Sequence, residues 1–527
     1  MLKSPVFRTV AVVAALAWSA AVPALAQTKV LRMAPMTDLR VLDPLFTTAY
    51  AVRNHAYMVF DTPLALDSKG VPKPQMVDGW TRSKDGKTWT FHLREGLKFH
   101  DGSPVTPNDM VVSLQRWAKK DPMGQAVVKA GGVFAASGAS SFTLTLAQPF
   151  NGVLEALAKS SSFPPFIMPA RLAQADLSKP VTEMVGSGPF MFKKDEWVPG
   201  NRIVWVKSPY YVPRKEPADG LAGGKVANLD RVEWQIMPDP NTQAQALRRG
   251  EIDLIEGVGA DFIAPALADK ELKVIPLAPF QGIMYLNQLH PPFNNTKARQ
   301  AILHLIRQSD LMAGLGYPVN LRLPHCGALF VCGSANATEA GSEAYRQPDP
   351  TRARQLLAEA GYKGEKIVVL VPSGVPVLGP LSEIAVKQLQ AAGLNIDAQV
   401  LDFGSLVTRR TRKDAPEKGG WNIYVTAIGQ PDLDTPIANN NLVGGCANVV
   451  PGLVCDERIQ SMAATWLTES RPAERRKLVE AIQRRAYEVV SYVPLGQFVP
   501  VIGVRRDVKN TQVLEQTGLP AMWGLAK

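Results

Sequence analysis

The sequence predicts an α/β fold with at least two lobes, and three observations support this prediction. Strand-like and helix-like patterns alternate along the chain, separated by turns that use its 41 Gly and 42 Pro. A strand, a helix and a second strand follow one another between Lys366 and Leu401. Roughly 500 residues follow the N-terminal segment, which is more than one hydrophobic core usually supports.

Several short segments have the two-residue period of half-buried strands. Residues 88–93 alternate between apolar and polar side chains and follow Asp85-Gly86, which is a hairpin turn signal. Residues 141–146 and 232–236 repeat the same period. These segments are therefore predicted to be strands with one face in the core.

Helix boundaries are marked by local capping chemistry. Thr106 is predicted to be an N-cap because Pro107 can occupy the first helical position and Asp109 lies in the first turn. Residues 239–250 and 349–361 begin with Asp-Pro and end with Gly, which predicts two further helices.

The second half of the chain contains a predicted crossover. Residues 366–371 and 394–401 are predicted strands, and the helix between them, 381–392, ends at Gly393. This order predicts a parallel strand pair with a right-handed connection. Beyond it the sequence predicts a strand at 421–428 and helices at 456–468 and 472–490.

The N-terminal segment indicates export. Lys3 and Arg8 precede an apolar stretch, Val10–Trp18, and Ala24-Leu25-Ala26 is a small-x-small cleavage site. A membrane anchor is the alternative, but the apolar stretch is short for one. Because Gln27 stands where a lipid-modified protein would have Cys, we expect cleavage after residue 26 and a soluble periplasmic product.

Composition and charge indicate a folded protein without a nucleic-acid partner. Apolar residues make up 46% and charged residues 20% of the chain, as in ordinary globular proteins. The net charge is +11, but Lys and Arg are scattered among acids. The densest basic cluster, Arg409, Arg410, Arg412 and Lys413, is expected on a solvated loop or helix end.

The four cysteines form two close pairs in the sequence. Four cysteines allow three connectivities, and proximity favours Cys326 with Cys332 and Cys446 with Cys455. A metal site would need closer spacing or several histidines, and only His325 adjoins a cysteine. In an oxidising compartment we expect two disulfides that fix local loops.

No enzyme signature is present. The chain lacks Gly-x-Ser-x-Gly and His-Glu-x-x-His, and its six histidines are dispersed. Gly257-Val258-Gly259 lacks the third glycine of a dinucleotide loop. The sequence therefore predicts no catalytic residue, no metal site and no cofactor.

One long block carries a specific pattern. Between Tyr57 and Trp117 it contains Trp80, Asp85-Gly86, FHLREG from Phe91, KFHDGSP from Lys98, and Asp109. With these spacings the block resembles the peptide-type extracellular solute-binding proteins of family 5, which include dipeptide- and oligopeptide-binding proteins.

The resemblance extends over most of the chain. Gly188-Pro189-Phe190, ALRRGEIDLIEGV from Ala246 and YLNQLHPPFNNTKARQAILHLI from Tyr285 are similar to family segments. Arg307-Gln308 departs from the Asp-Arg that is usual there, which affects expected helix packing rather than the assignment.

The resemblance implies a two-lobed periplasmic-binding-protein (Venus-flytrap) fold with an extra subdomain in lobe I. We expect lobe I at 27–280 plus 500–527, its subdomain at about 57–180, and lobe II at 281–499. It also implies that the conspicuous block is structural, so His100 and Asp101 are not expected to be catalytic.

The implied function is that of the periplasmic substrate-binding component of an ABC importer. Such a protein is not an enzyme. As a monomer it binds a small peptide or related solute in the interlobe cleft and delivers it to an ABC permease in the inner membrane. Three alternatives remain: a non-peptide cargo such as a metal chelate, opine, glutathione or oligosaccharide; a chaperone or sensor on the same scaffold; and an exported hydrolase.

The resemblance also implies where the ligand binds. Peptide-binding members hold the ligand ammonium with a carboxylate after the late strand, and Asp432 and Asp434 match that position. Both acids also fit turn or N-cap roles. Ile428, Gly429 and Gln430 are further ligand-binding candidates, and Ile428 and Gly429 stand where many members carry a bulky ring. Tyr50 lies in an early loop and is either a cleft residue or an interdomain packing residue.

Overall fold

The computed structural model describes residue 1 and residues 28–517 and 522–527. Apart from Met1, the predicted signal peptide and its cleavage site lie outside these residues. The strands are β1 (Val30–Ala34), β2 (Leu64–Leu66), β3 (Pro72–Pro74), β4 (Val77–Arg82), β5 (Thr88–Leu93), β6 (Val133–Ser137), β7 (Ser141–Thr145), β8 (Phe190–Phe192), β9 (Arg202–Lys207), β10 (Arg231–Gln235), β11 (Leu254–Ile255), β12 (Leu272–Pro276), β13 (Phe280–Leu286), β14 (Arg322–Leu323), β15 (Ile367–Ser373), β16 (Ile396–Asp402), β17 (Ile423–Gly429), β18 (Val493–Phe498) and β19 (Val501–Arg505).

The helices complete the mixed α/β architecture. They are α1 (Tyr50–Val59), α2 (Pro107–Ala118), α3 (Pro122–Lys129), α4 (Val153–Leu157), α5 (Ala170–Ala173), α6 (Pro240–Arg249), α7 (Ala260–Ala268), α8 (Thr296–Leu303), α9 (Gln308–Gly314), α10 (Pro350–Glu359), α11 (Leu378–Ala391), α12 (Phe403–Arg410), α13 (Asn440–Val443), α14 (Glu457–Thr468), α15 (Pro472–Val489) and α16 (Gln512–Thr517). Short 3-10 turns lie at Lys194–Glu196, Val319–Leu321, Glu343–Tyr345, Pro416–Lys418 and Gln430–Asp432.

Two large sheets define the two lobes. The first has the order β12-β19-β11-β1-β10-β9-β8, and the second has the order β14-β18-β13-β17-β15-β16. In the first, β1 pairs in parallel with both β10 and β11. In the second, β15 pairs in parallel with β16 and β17, which confirms the predicted crossover. A separate antiparallel sheet, β4-β5-β7-β6, forms the subdomain.

Two adjacent chain segments connect the lobes. The chain leaves the first sheet after β12 and enters the second at β13, and it returns between β18 and β19. The backbone N–H of Leu277 donates to the carbonyl of Pro500 at 2.9 Å, so the two connections are hydrogen-bonded to each other. The expected domain boundaries near residues 280 and 500 lie at these connections and stay a prediction.

Local capping chemistry explains the helix boundaries. Thr106 and Asp109 form the expected capping box at the start of α2. Gly250 adopts a left-handed conformation, φ 73°, at the end of α6, where a Cβ would be unfavourable. Helix α11 begins at Leu378, before the predicted start, because Pro380 falls in the first turn, where no backbone donor is needed.

The lobes enclose buried hydrophobic cores. The rings of Trp205 and Trp234 lie 4.7 Å apart beneath the first sheet, and both side chains are fully buried. In the described ranges, no helix is long and apolar enough to cross a bilayer.

Candidate functional site

A large cavity lies between the two lobes. It holds about 1270 Å³ of space, part of which is continuous with solvent. Lobe I contributes segments around α1 together with Ser162, Glu256 and Leu277, and lobe II contributes β17, the loop after β15 and residues 449–451. Because both lobes line this cavity, a bound molecule would contact both and favour closure.

Tyr50 is a central residue of this cavity. It is the first residue of α1, and its hydroxyl donates to Asp432 Oδ2 at 2.7 Å and accepts from the N–H of Gly429 at 2.8 Å. Its ring lies 4.2 Å from the Arg53 guanidinium and packs edge-on against Phe280. Burial, together with the negative charge of Asp432, raises the Tyr50 pKa well above its usual value. The hydroxyl thus stays protonated as a donor.

Asp432 reaches the cavity from the opposite lobe. It ends the 3-10 turn that follows β17 and is 3% exposed. Its Oδ2 accepts from Tyr50 and, at 2.8 Å, from Ser161 Oγ, so both donors belong to lobe I. Among the described residues, Oδ1 has no hydrogen-bond partner although it is buried. A buried carboxylate oxygen without a partner favours a cationic ligand group.

The remaining predicted residues differ in whether they line the cavity. Ile428 lines the cavity. A Cβ on Gly429 would lie 2.9 Å from the Phe280 ring, so glycine permits the packing of β17 against β13. Gln430 and Asp434 bind each other, with Nε2 to Oδ2 at 2.9 Å, and do not line the cavity. Burial raises the pKa of Asp434 to about 6.

Arg53 and Glu256 are cavity residues that the sequence analysis missed. Arg53 donates to Ser161 Oγ at 2.7 Å and to Asn54 Oδ1, while Asn54 donates to Glu256 Oε1 at 2.8 Å. Glu256 Oε2 accepts from the N–H of Met36. Burial raises the Glu256 pKa. These hydrogen bonds hold the Arg53 guanidinium and the Glu256 carboxyl group on the lobe I wall of the cavity.

The position of Arg410 differs from the prediction that the whole basic cluster is solvated. Its guanidinium lies 5.5 Å from the centre of the Tyr424 ring and lines the cavity. Arg409 instead donates to the carbonyls of Gly419 and Gly420. The sequence interpretation was wrong for Arg410 because consecutive residues near a helix end point in different directions. Nothing in the neighbouring sequence distinguishes the cavity residue Arg410 from Arg409.

Asn440 also lines the cavity, and its position was not predicted. It opens α13 between Asn439 and Asn441, which are both hydrogen-bonded. The run of three asparagines within an apolar stretch is a signal that could have drawn attention to this segment.

One of the two cysteine pairs brackets a loop of the same cavity. The structure places Cys326 beside Cys332 and Cys446 beside Cys455 at bonding distance, with Cα atoms 6.0 and 4.2 Å apart. The loop between the second pair supplies residues 449–451 to the cavity wall. This pairing agrees with the one expected from sequence proximity.

The block that is most conspicuous in the sequence lies outside the cavity. His100 is buried, its Nε2 is 2.9 Å from the carbonyl of Gly188, and burial lowers its pKa to about 4. Asp101 accepts from the N–H and hydroxyl of Ser103. Within the described ranges, no three His, Cys, Asp or Glu side chains converge as metal ligands.

Comparisons with known proteins agree with this geometry. The model of the bacterial extracellular solute-binding proteins, family 5, matches residues 71–448. The chain is 35% identical over 511 residues to the "Probable peptide ABC transporter periplasmic-binding protein y4tO" of Sinorhizobium fredii (strain NBRC 101917 / NGR234), covering 96% of this chain and 94% of that one. It is 24% identical to the glutathione-binding protein GsiB of Escherichia coli O1:K1 / APEC, covering 92% and 91%.

A solved structure shares the same fold. The binding protein AgaA from "A.tumefacien R10", in complex with agropinic acid, superposes with a TM-score of 0.78 at 22% identity. The match covers 94% of this chain and 98% of that chain.

Proposed function

Because this chain belongs to family 5 of the bacterial extracellular solute-binding proteins, we propose that it is the periplasmic substrate-binding component of an ABC importer. It binds a small peptide or related solute between its lobes and delivers it to a permease in the inner membrane. The peptide class is supported by the printed name of the Sinorhizobium relative.

The observation that carries this proposal is the position of Asp432. One carboxylate oxygen is held by Tyr50 and Ser161 of the opposite lobe, and the other is buried without a protein partner among the described residues, in a side chain that lines the shared cavity. A ligand ammonium would pair with the unpartnered carboxylate oxygen through a charge-assisted hydrogen bond. Since the acid joins both lobes, that contact would strengthen in the closed form.

The alternatives differ in what they would place against Asp432. Opines, glutathione, metal chelates and oligosaccharides remain possible cargoes of this scaffold, and an oligosaccharide brings no ammonium to the acid. A permease-independent chaperone or sensor would bind the same cargo without a transport phenotype. A hydrolase would need a nucleophile beside a base. Ser161 Oγ does donate to Asp432, but it shares that carboxylate oxygen with Tyr50 and accepts from the Arg53 guanidinium, which withdraws electron density from the hydroxyl and disfavours a nucleophile.

Export and disulfide formation belong to the same proposal. Cleavage after Ala26 would release a chain that begins at Gln27, and the periplasm would oxidise both cysteine pairs. The second bridge would then fix the cavity loop between Cys446 and Cys455. The mature protein acts as a monomer.

Mass spectrometry of protein purified from the periplasm without refolding tests these points together. Under native conditions we expect a bound compound that carries an amine and leaves on denaturation. The denatured mass should correspond to a chain starting at Gln27 with all four cysteines oxidised. A cargo without an amine would contradict the ammonium site, and membrane retention with Met1 intact would contradict cleavage.

A further inference from the structure

The two lobes also touch each other outside the cavity. Gly152 follows the subdomain strand β7 and is the N-cap residue of α4, and a Cβ built on it would lie 2.5 Å from both Cγ and Cδ1 of Leu467. Leu467 lies near the end of α14, in the part of the chain between β17 and β18 of the second sheet, and is 5% exposed. A leucine side chain of lobe II is thus packed directly on a glycine backbone of lobe I.

A hydrogen bond accompanies this packing. Asn151 Nδ2 donates to the carbonyl of Thr468 at 3.3 Å, and Arg82 at the end of β4 donates to Asn151 Oδ1 at 3.3 Å. Thr468 is the last residue of α14, where a carbonyl has no partner within its own helix. A side chain of lobe I therefore supplies a donor to the end of a lobe II helix. We call Asn151, Gly152, Leu467 and Thr468 the interlobe clasp.

The backbone conformation of Gly152 does not require glycine. Its φ of −84° and ψ of 16° are accessible to other L-residues. Replacing Gly by Ala at a compatible conformation ordinarily stabilises a protein, because the alanine restricts the unfolded chain. The structural reason for a glycine here is therefore the close approach of Leu467, which leaves no room for a Cβ.

A second contact between the lobes is weaker than the clasp. Arg40 Nη2 lies 3.5 Å from Asp402 Oδ1, and both side chains are more than half exposed. Water and salt screen such a pair, so it contributes little to holding the lobes together. The packing of Leu467 is buried and apolar, and neither water nor salt weakens it in this way.

We infer that the interlobe clasp holds a closed form of the two lobes independently of cargo. None of its four residues lines the cavity, so a bound molecule does not contact them. The lobes are joined by the connections at residues 276–280 and 498–501, and opening about these connections separates Leu467 from Gly152. A contact that exists only in the closed form shifts the equilibrium towards that form. A cargo that binds the closed form then gains apparent affinity without touching the clasp.

The test measures lobe closure in mature protein that has been dialysed free of cargo and checked by native mass spectrometry. Dyes are attached through Lys84→Cys in the subdomain and Lys477→Cys in α15, both at exposed positions. Single-molecule energy transfer then gives the ratio of closed to open molecules. For the otherwise unchanged protein we expect closed and open molecules in comparable numbers. Leu467→Ala should lower this ratio about tenfold, because most of a buried leucine contact is lost.

The glycine variants separate the clasp from other causes. Gly152→Ala should lower the ratio about tenfold or more, because the added methyl group and the Leu467 side chain cannot occupy the same space. Combining Gly152→Ala with Leu467→Ala should lower it no further than Leu467→Ala alone, since the shortened side chain leaves room for the methyl group. Asn151→Ala should lower it about two- to threefold. Gly79→Ala is the matched control in the same subdomain, because a Cβ there would meet nothing within 4 Å, and it should leave the ratio unchanged.

Three results would overturn the inference. They are a wild-type clasp with only open molecules, a Gly152→Ala variant that closes as often as the wild type, and effects of Gly152→Ala and Leu467→Ala that simply add. Thermal unfolding shows whether each variant is folded, and if Leu467→Ala is not, Gly152→Ala and Asn151→Ala decide the question. All of these measurements are made without cargo, so they leave the ammonium site at Asp432 to its own test.

Discussion

The block from Tyr57 to Trp117 and the segment from Ile428 to Asn441 differ in where their buried polar side chains lie, because only the later segment lines the cavity. In the block, Asp109 accepts from the backbone and hydroxyl of Thr106 and from the N–H of Ala170, and His100 contacts a backbone carbonyl. In the later segment, both Asp432 and Asn440 keep buried polar atoms without protein partners among the described residues.

This difference shows where function lies in the molecule. Polar groups in the block are used to fix turns and to join the subdomain to its lobe, so the strongest sequence pattern reports structure. The later segment has a weak sequence pattern but lines the cavity. Buried polar atoms without partners also occur in the block, for example Gln75 Oε1 and Arg94 Nη2, so such an atom indicates the ligand site only where its residue also lines the cavity.

The largest effect is expected at Asp432. Asp432→Asn should weaken ligand binding on the order of 100-fold or more, because a charge-assisted contact in a closed cleft is lost. The melting temperature without ligand should change little. Asp434→Asn is the matched control and should bind normally, since Asp434 contacts Gln430 outside the cavity. Calorimetry with the copurified ligand checks both. Wild-type affinity in both variants would refute the ammonium site.

A smaller effect, on stability alone, is expected in the block. His100→Ala should lower the free energy of unfolding by about 2 kcal/mol at pH 7, because it removes a buried hydrogen bond and packing. Chemical denaturation with and without ligand measures this, and affinity should be unchanged.

The effect of His100→Ala should depend on pH. Burial lowers the folded-state pKa of His100 to about 4 from the ordinary histidine value of 6.5. As pH falls through this window, the unfolded wild type takes up a proton that the folded form does not, so wild-type stability is lost. The difference between wild type and variant should therefore shrink towards pH 4. A lower affinity at pH 7 would contradict the structural role of the block.

A stability effect of the opposite sign is expected at Asp434. Burial raises its folded-state pKa to about 6 from 3.8, so the folded form loses stability as pH rises through this window. Asp434→Asn stays neutral and should be more stable than the wild type above pH 6, by at most about 3 kcal/mol for a pKa raised by about two units. Melting temperatures at pH 4 and pH 7.5 measure this. The gain should vanish at pH 4, and a gain equal at both pH values would rule out this cause.

The sequence by itself determined the local elements and the family. The Thr106 capping box, the Asp-Pro start of α6 and the crossover of β15, α11 and β16 all follow from contacts within a few residues. Such contacts are encoded by neighbouring side chains, so pattern and turn chemistry predict them. The resemblance in turn placed Asp432 after the late strand.

Only the tertiary structure decided which residues share the cavity. Tyr50 and Asp432 are 382 positions apart in the sequence. Arg410 and Arg409 are adjacent and chemically identical, and they differ only in the direction in which their side chains point. Likewise, Asn440 differs from Asn439 and Asn441 only in what the folded chain brings near it. Long-range packing of two lobes sets these relations, and no local propensity encodes them.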